Sequence, residues 1–535
     1  MQTDPAAEPA LASSDRPQTQ SFTDALFNMK EAVIAFSLIM SLRNLVWRAA
    51  VTLNLASPLH SAVSVILFAA EIYGYLSIVL YYFQALKPVE NTAPIPERDQ
   101  LPTVDVFVTI YNEPTHILYR TLVCCEALDY PKERLKIWVC DDGGRDAVKA
   151  MADKFGFGYL TRADRLHAKA GNLNNAMAST SGELIVTLDT DHLPVRSFLK
   201  ETVGFFLDHK VALVQLPHHF YNPDVFQHNL HLDNDLVHEQ DLFFQVIQPG
   251  RQRSNSVMYA GSSSLLRRSA LEAIGGFQTD CAIEDTHTSM KLHAKGFSGV
   301  YFKKILSGAL SPESFQSYLT QRKRWTRGGF QLFILDNPFL CPGLSPLQRI
   351  AYFSSVLYFF HGWARLVYLL APLSFLIGDL NPIVADTGTL VGYFLPHYAL
   401  CHLAFILTSR EFRNPFWSDV YEAASVFSLS WTAVAAVLKP EKLIFHVTPK
   451  GEKMDRPHQI HWEFVIPHIV LLGLLLGAVI VATNRIMTSP DLRLNAYTLS
   501  CAWAVFNIIL LGCAIEGARE RPQLRRCQRI PRKIP

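Results

Sequence analysis

Charge is scarce in this sequence. Asp, Glu, Lys and Arg make up 18% of its 535 residues and hydrophobic residues 49%, whereas soluble domains carry roughly 25% charged residues. The net charge of +2 leaves no basic surplus, which argues against a nucleic-acid binder, because such proteins are normally clearly basic. Cysteine supplies no framework either. Nine are scattered through the chain, and only Cys124 and Cys125 lie close, so neither a zinc-ligand spacing nor a disulfide scaffold is present. Residues 1–30 lack periodicity and lack a basic region followed by an apolar core; they read as a disordered tail and not as a signal peptide.

Long apolar sequence is what the chain has in abundance. Ser61–Leu86 has Glu71 as its one charge and exceeds the ~20 residues that cross a bilayer; an ionisable group at that depth faces protein or water, not lipid. Ala32–Leu55, which carries Arg43 and Arg48, is a poorer span. Ala351–Ile377, Gly392–Leu407, Phe464–Ala482 and Ala496–Ile515 bring the total to about six spans. Asp419–Leu438 mixes aromatic and aliphatic residues with Ser, Asp and Glu, which suits a helix lying at the interface. Basic residues flank the middle region and fill the tail 519–535, so the positive-inside rule places both termini and the middle region in the cytoplasm. Buried core helices of a soluble protein are the rival reading, which the lengths of these segments disfavour.

Between residues 31–87, the first membrane helices, and 338–518, the later membrane and interface helices, a polar linker (88–103) leads into a segment of alternating pattern (104–337). Val104–Ile110 and Leu135–Cys140 read as strands, and Thr115–Leu128, Arg145–Lys154 and Gly171–Ser179 as helices. That alternation predicts a mostly parallel, doubly wound sheet. Leu184–Asp189 is a further strand, ending in Asp189-Thr190-Asp191-His192. Ligands in such sheets bind beyond the carboxyl ends of the strands, and two carboxylates there suit Mg²⁺ or Mn²⁺ on a diphosphate. Tyr111-Asn112-Glu113-Pro114 and Asp141-Asp142-Gly143-Gly144 occupy other strand ends, where acids can hydrogen-bond a base and a ribose; an ordinary acidic turn is the plainer alternative. Lys169 and Gly171 stand just before a helix start, a place that favours phosphate. Glu284 and Asp285 open a helical run as either a general base or a helix N-terminal charge. Gln321, Arg324 and Trp325 are spaced i, i+3, i+4 and share one helix face. Arg suits a diphosphate, and Trp suits the C–H face of a sugar ring; a basic amphipathic helix on the membrane is the rival.

The order of these motifs resembles the GT-A glycosyltransferases that build processive polysaccharides, above all the bacterial cellulose synthase catalytic subunits. Val214–Pro223 and Phe445–Glu452 add to the likeness, the second matching the family's F-x-V-T-x-K-x-E gating loop. The resemblance implies a membrane protein, an α-helical transmembrane bundle with an inserted cytosolic α/β GT-A domain, in the bacterial inner membrane. It implies that Tyr111, Glu113, Asp141, Asp142, Lys169 and Asp189 bind UDP-glucose. Asp189 and Asp191 would place Mg²⁺ or Mn²⁺, and Asp285 would act as the catalytic base. Gln321, Arg324, Trp325, Tyr259, Gly261 and Ser262 would bind the acceptor, and Phe445, Val447 and Thr448 would close the gate. The implied partners are the growing glucan, the bilayer, and periplasmic or membrane export subunits, without nucleic acid.

Four departures from the family pattern stand out. Its T-E-D is Ile283-Glu284-Asp285 here, and its F-F-C-G-S is Met258-Tyr259-Ala260-Gly261-Ser262. The second change opens β-1,3 or mixed β-1,3/1,4 glucan as rivals to cellulose. The N-terminal tail looks short for an extra pair of spans. Arg521–Arg525 resembles the R-x-x-x-R opening of a PilZ domain but no barrel follows, so a complete cyclic di-GMP site is not expected. A non-processive transferase onto a lipid carrier, and a channel with a degenerate transferase domain, are the alternative functions.

Overall fold

The computed structural model describes residues 29–440, 459–488 and 494–521. The gating-loop residues Phe445, Val447 and Thr448, and the tail beyond 521, lie outside the described residues.

Strand β1 (Val104–Ile110) is buried at every position, as a strand covered on both faces requires. It pairs in parallel with β2 (Leu135–Asp141), which pairs in parallel with β3 (Gly158–Thr161); on its other side β1 pairs in parallel with β4 (Leu184–Asp189). The connections are the helices Thr115–Glu126, Asp146–Phe155 and Ala168–Ala178. Six strands follow: β5 (Leu193–Pro194), β6 (Val211–Gln215), β7 (His219–Phe220), β8 (Ser264–Arg267), β9 (Ser298–Tyr301) and β10 (Ser307–Ala309). The main sheet has the order β3-β2-β1-β4-β8-β6-β9, and β5-β10-β7 form a small one. Strand β8 runs antiparallel between β4 and β6, a reversal that the alternating pattern of apolar runs does not encode. Because the chain moves outward from β1 to β3 and then returns to β4, the switch point lies between β1 and β4. That is where such sheets leave a ligand crevice. Apolar side chains fill both faces, with Val106, Val108, Leu118 and Leu122 on one and Phe107, Leu173, Ile185 and Leu266 on the other.

Six described helices are long and apolar enough to cross a membrane: Lys30–Thr52, Pro58–Ala85, Thr387–Phe412, Pro415–Leu438, Trp462–Thr488 and Ala496–Gly517. The segment read as one span over Ala351–Ile377 is a pair of helices, Pro346–Tyr358 and His361–Leu376, bent by 47°. Pro415–Leu438 meets the length test, yet it packs along the helix Phe315–Leu335 of the α/β domain. Tyr421 meets Phe226 and Tyr318 toward one end, and Ala433 and Ala436 meet Phe330 toward the other. At its start Lys303 lies over the Phe412 ring, and just past its end Gln331 Nε2 donates to the Pro440 carbonyl. With both ends held by the α/β domain, this helix lies between domain and bundle.

The charges in the first two helices are explained by pairing. Arg48 Nε donates to Glu71 Oε2 at 2.9 Å with Arg48 buried, and Arg43 stacks 3.8 Å over Tyr393. A paired charge inside a bundle escapes most of the cost of facing lipid.

Candidate active site

The turn after β4 is tightly braced. Thr190 Oγ1 donates to the Thr109 carbonyl (2.7 Å), and Thr121 Oγ1 donates to the Thr190 carbonyl (2.5 Å). The Asp189 amide donates to Ser262 Oγ, and Asp191 Oδ2 accepts from the Leu310 amide, both at 2.9 Å. These bonds aim the two carboxyl groups at the crevice beside His192. The His192 Nδ1 lies 3.7 Å from Asp191 Oδ1 and 3.9 Å from Asp189 Oδ2. One ligand atom from each of the three residues falls within 4.8 Å of the others. His192 is buried, and neither ring nitrogen has a hydrogen-bond partner among the described residues. A buried imidazole left unpaired is costly, and two carboxylates plus an imidazole form a donor set that fits a divalent cation. Lys169 Nζ pairs with Asp189 Oδ1 and donates to the Gly261 carbonyl (2.8 Å).

On the other side of the switch point, Asp141 and Asp142 differ in use. Asp141 is fully buried and builds its own turn: Oδ1 accepts from the Gly143 amide (2.8 Å), and Oδ2 from the Arg145 amide (2.8 Å) and Tyr159 OH (3.1 Å). A Cβ on Gly143 would stand 2.4 Å from the Tyr111 carbonyl oxygen, so the turn needs glycine. Asp142 lines the cavity and is held bidentately by Arg162 at 2.7 and 2.9 Å. Glu113 Oε2 accepts from the Tyr111 amide (2.8 Å), which fixes the loop after β1.

Facing them, Glu284 and Asp285 form the first turn of the helix Glu284–Ala294. Asp285 Oδ1 accepts from the Thr286 amide (2.7 Å). Burial pushes both carboxyl groups above the usual carboxylate range, and for Glu284 the neighbouring Asp285 adds to the rise; Lys169 and Arg324 oppose it. Gly261 sits opposite at φ +84°, where a Cβ would lie 3.0 Å from Asp285 Oδ2. Tyr259 and Ser262 lie behind this loop. Tyr259 OH donates to Thr187 Oγ1 (3.0 Å) and to the Gly261 carbonyl (3.1 Å), and Ser262 is fully buried with its hydroxyl on the Asp189 amide.

The helix Phe315–Leu335, capped by Ser314 Oγ on the Ser317 amide (3.1 Å), brings Gln321, Arg324 and Trp325 to the cavity wall. Arg322 pairs with Glu239 and lies 4.3 Å over the Trp325 ring, holding the indole in place. No motif in the sequence assigns a role to His192, Arg162 or Arg322. His192 adjoins the D-x-D pair and was visible there, whereas Arg162 reaches Asp142 only because β3 lies beside β2.

Asp142, Lys169, Asp189, Asp191, His192, Asp285, Gln321, Arg324 and Trp325 line one cavity of about 1700 Å³, whereas Asp141, Arg162 and Ser262 stand behind its wall. It runs from Asp142, Lys169 and Asp189 past Asp285 and Trp325, and on between the apolar helices to Tyr73, Tyr368 and Asn507.

The model of the family described as Glycosyl transferase family group 2 matches residues 184–410. The cellulose synthase catalytic subunit [UDP-forming] of Komagataeibacter sucrofermentans is 35% identical over 93% of this chain and 67% of its own length. That of Pseudomonas fluorescens is 35% identical over 94% of this chain and 68% of its own length. Cellulose synthase 2 of Novacetimonas hansenii is 36% identical over 94% of this chain but 32% of its own length. The chain thus spans about two thirds of the catalytic subunits and about one third of the longer synthase. By identity sustained across nearly its whole length, over a sheet whose strand ends carry Asp142, Asp189 and Asp191, the chain belongs to the family of bacterial cellulose synthase catalytic subunits.

Proposed function

We propose that this protein is a processive, inverting β-glucan synthase of the bacterial inner membrane, which polymerises glucose from UDP-glucose on its cytoplasmic side and passes the chain outward through its own helices. The observation that carries this reading is the single cavity joining Asp189 and Asp285 to the interior of the bundle. A transferase that hands one sugar to a lipid carrier has no need of it.

Asp142 and the loop of Tyr111 and Glu113 receive the nucleoside, with Asp142 pre-aligned by Arg162. Asp189, Asp191 and His192 would hold a divalent cation, which would offset the charge of the diphosphate as it leaves. Lys169 and Arg324 add positive charge along the same wall. Trp325 offers its face to the terminal sugar of the acceptor. Asp285 takes the proton from the acceptor hydroxyl while that oxygen attacks the anomeric carbon; the bond to the diphosphate breaks, and UDP departs with both its electrons. One displacement inverts the configuration. Asp285 must be ionised to do this, and the cations Lys169 and Arg324 favour that form against burial.

Incorporation of labelled UDP-glucose by purified membranes with Mg²⁺ or Mn²⁺, followed by linkage-specific glucanases, tests the proposal. A polymer cut only by a β-1,4-glucanase identifies cellulose; one cut by lichenase or a β-1,3-glucanase points to the loop Met258–Ser262. Label appearing only in lipid-extractable monoglycosides, with no polymer, would overturn the reading.

A further inference from the structure

Arg251 is an oddity of the α/β domain: fully buried, without an ion pair among the described residues. A charge taken out of water without a counter-charge is expensive. The structure gives two of its three nitrogens oxygen partners instead, Nη2 having none among the described residues. Nε donates to the Ser256 carbonyl (2.7 Å); Nη1 donates to Gln84 Oε1 (2.7 Å), the Ala351 carbonyl (2.8 Å) and Ser355 Oγ (3.0 Å). The guanidinium also lies 5.2 Å from the Tyr352 ring centroid.

These acceptors come from three separate places. Gln84 closes the membrane helix Pro58–Ala85, Ala351 and Ser355 belong to the helix Pro346–Tyr358, and Ser256 stands two residues before the acceptor loop Met258–Ser262. Two further links extend the cluster. Tyr352 OH and His293 Nδ1 are 2.7 Å apart, and His293 lies on the helix that Glu284 and Asp285 open. Met258 is gripped at both backbone atoms by the Gln248 amide, at 2.8 and 3.0 Å. The approach is so close that a Cβ on Gly250 would stand 1.4 Å from the Gln84 carbonyl oxygen. None of these contacts involves Asp142, Asp189 or Asp191, which sit on the strand ends.

We infer that Arg251 is a positioning residue: it locks the acceptor loop and the helix bearing Asp285 against the end of a membrane helix, so that the acceptor end of the chain is held in register with the cavity through the bundle. Its influence falls on hand-over of the acceptor, not on the nucleotide. Planar, multi-directional donation is what this requires; a lysine places one point charge and cannot reach three segments.

This inference rests on the protein being a polymerase, and the test separates the two. In membranes containing the full chain, Arg251→Met is compared with the unsubstituted protein for KM of UDP-glucose, thermal transition and product-length distribution. Losing the guanidinium leaves the buried oxygens of Gln84, Ser256, Ala351 and Ser355 without their donor, so some loss of stability is expected whatever the role of Arg251; a purely structural Arg251 would still leave the folded variant making full-length product. The expectation is a KM within twofold of the parent, a lowered transition temperature in a variant that still folds, and a mean product length at least tenfold shorter. Unchanged length in a folded variant would overturn the inference. Should Arg251→Met fail to accumulate, Tyr352→Phe decides: it keeps the ring and removes only the hydroxyl's links to the helix Glu284–Ala294, and shortened product at unchanged KM is expected, with full-length product refuting it. A parent protein that makes no polymer would sink the polymerase reading itself.

Discussion

Replacing Asp285 by Asn removes the proposed base while preserving its shape. The Asn side chain still offers an oxygen to the Thr286 amide, so the first helical turn keeps its hydrogen bond. A positioned general base contributes 10²–10⁴-fold, which is about 3–5 kcal/mol of transition-state stabilisation. UDP release and glucose incorporation should therefore both fall by at least about a hundredfold, in line with that range. KM for UDP-glucose should barely move, because Asp142, Asp189 and Asp191 stand at strand ends while Asp285 stands on a helix. Stability should hold or rise: Asp285 raises the pKa of buried Glu284, and removing one of two crowded carboxyl groups relieves that conflict. The assay is coupled UDP release beside label incorporation, with a melting curve of the same preparation. A variant that keeps turnover within threefold of the parent would refute Asp285 as the base; export left unchanged by the substitution in a protein that shows no turnover of its own would favour a channel with a degenerate transferase domain.

The same carboxyl group sets a pH dependence. Burial raises Asp285, so kcat/KM should fail on the acid side at a midpoint above the ordinary Asp value of about 3.9; a midpoint at or below that value would count against the assignment. Because the native state holds these protons to higher pH than the unfolded chain, their contribution to stability grows as pH falls, and melting curves across the limb should not weaken on their account. His192→Ala should weaken Mn²⁺ binding at least tenfold in an electron paramagnetic resonance titration without substrate, with no change refuting a ligand role. Arg162→Met leaves Asp142 buried and unpaired, at a cost of about 3–5 kcal/mol, so both the melting temperature and the affinity for UDP-glucose should drop. Gly261→Ala forces φ +84° on a residue with a Cβ, at about 1–2 kcal/mol, and crowds Asp285; kcat should fall more than KM for UDP-glucose rises.

Much of the α/β domain is legible because its strands are continuous apolar runs closed by turn residues. β1 has the bounds that its sequence suggests, and β2 runs one residue further, to Asp141. The D-x-D turn and the Gln321, Arg324, Trp325 face follow from local spacing alone. What could not be read locally is who meets whom. Asp141 and Asp142 look alike in sequence, yet one builds a turn and the other faces the cavity, a difference made by Arg162 arriving from β3. The Glu71 charge is balanced by Arg48, whose presence had made its own helix look like a poor span. Pro415–Leu438 is apolar because it is covered on several sides, which hydropathy cannot distinguish from exposure to lipid.

The reversed strand β8 has an evolutionary consequence. Running against its neighbours, it presents its beginning, not its end, at the rim where β1, β2 and β4 finish. The loop Met258–Ser262 therefore enters the crevice from the opposite direction to the turns after β1, β2 and β4, so that the residues proposed to face the acceptor and those proposed to hold the nucleotide come from separate segments. Hydrogen bonds couple the two: the Ser262 hydroxyl accepts from the Asp189 amide, the Gly261 carbonyl accepts from Lys169 Nζ, and Tyr259 OH donates to Thr187 Oγ1. Under the proposed roles, donor and acceptor contacts then come from segments of opposite direction, and within the loop Ala260 is freer to vary than buried Tyr259, which is tied to β4 through Thr187.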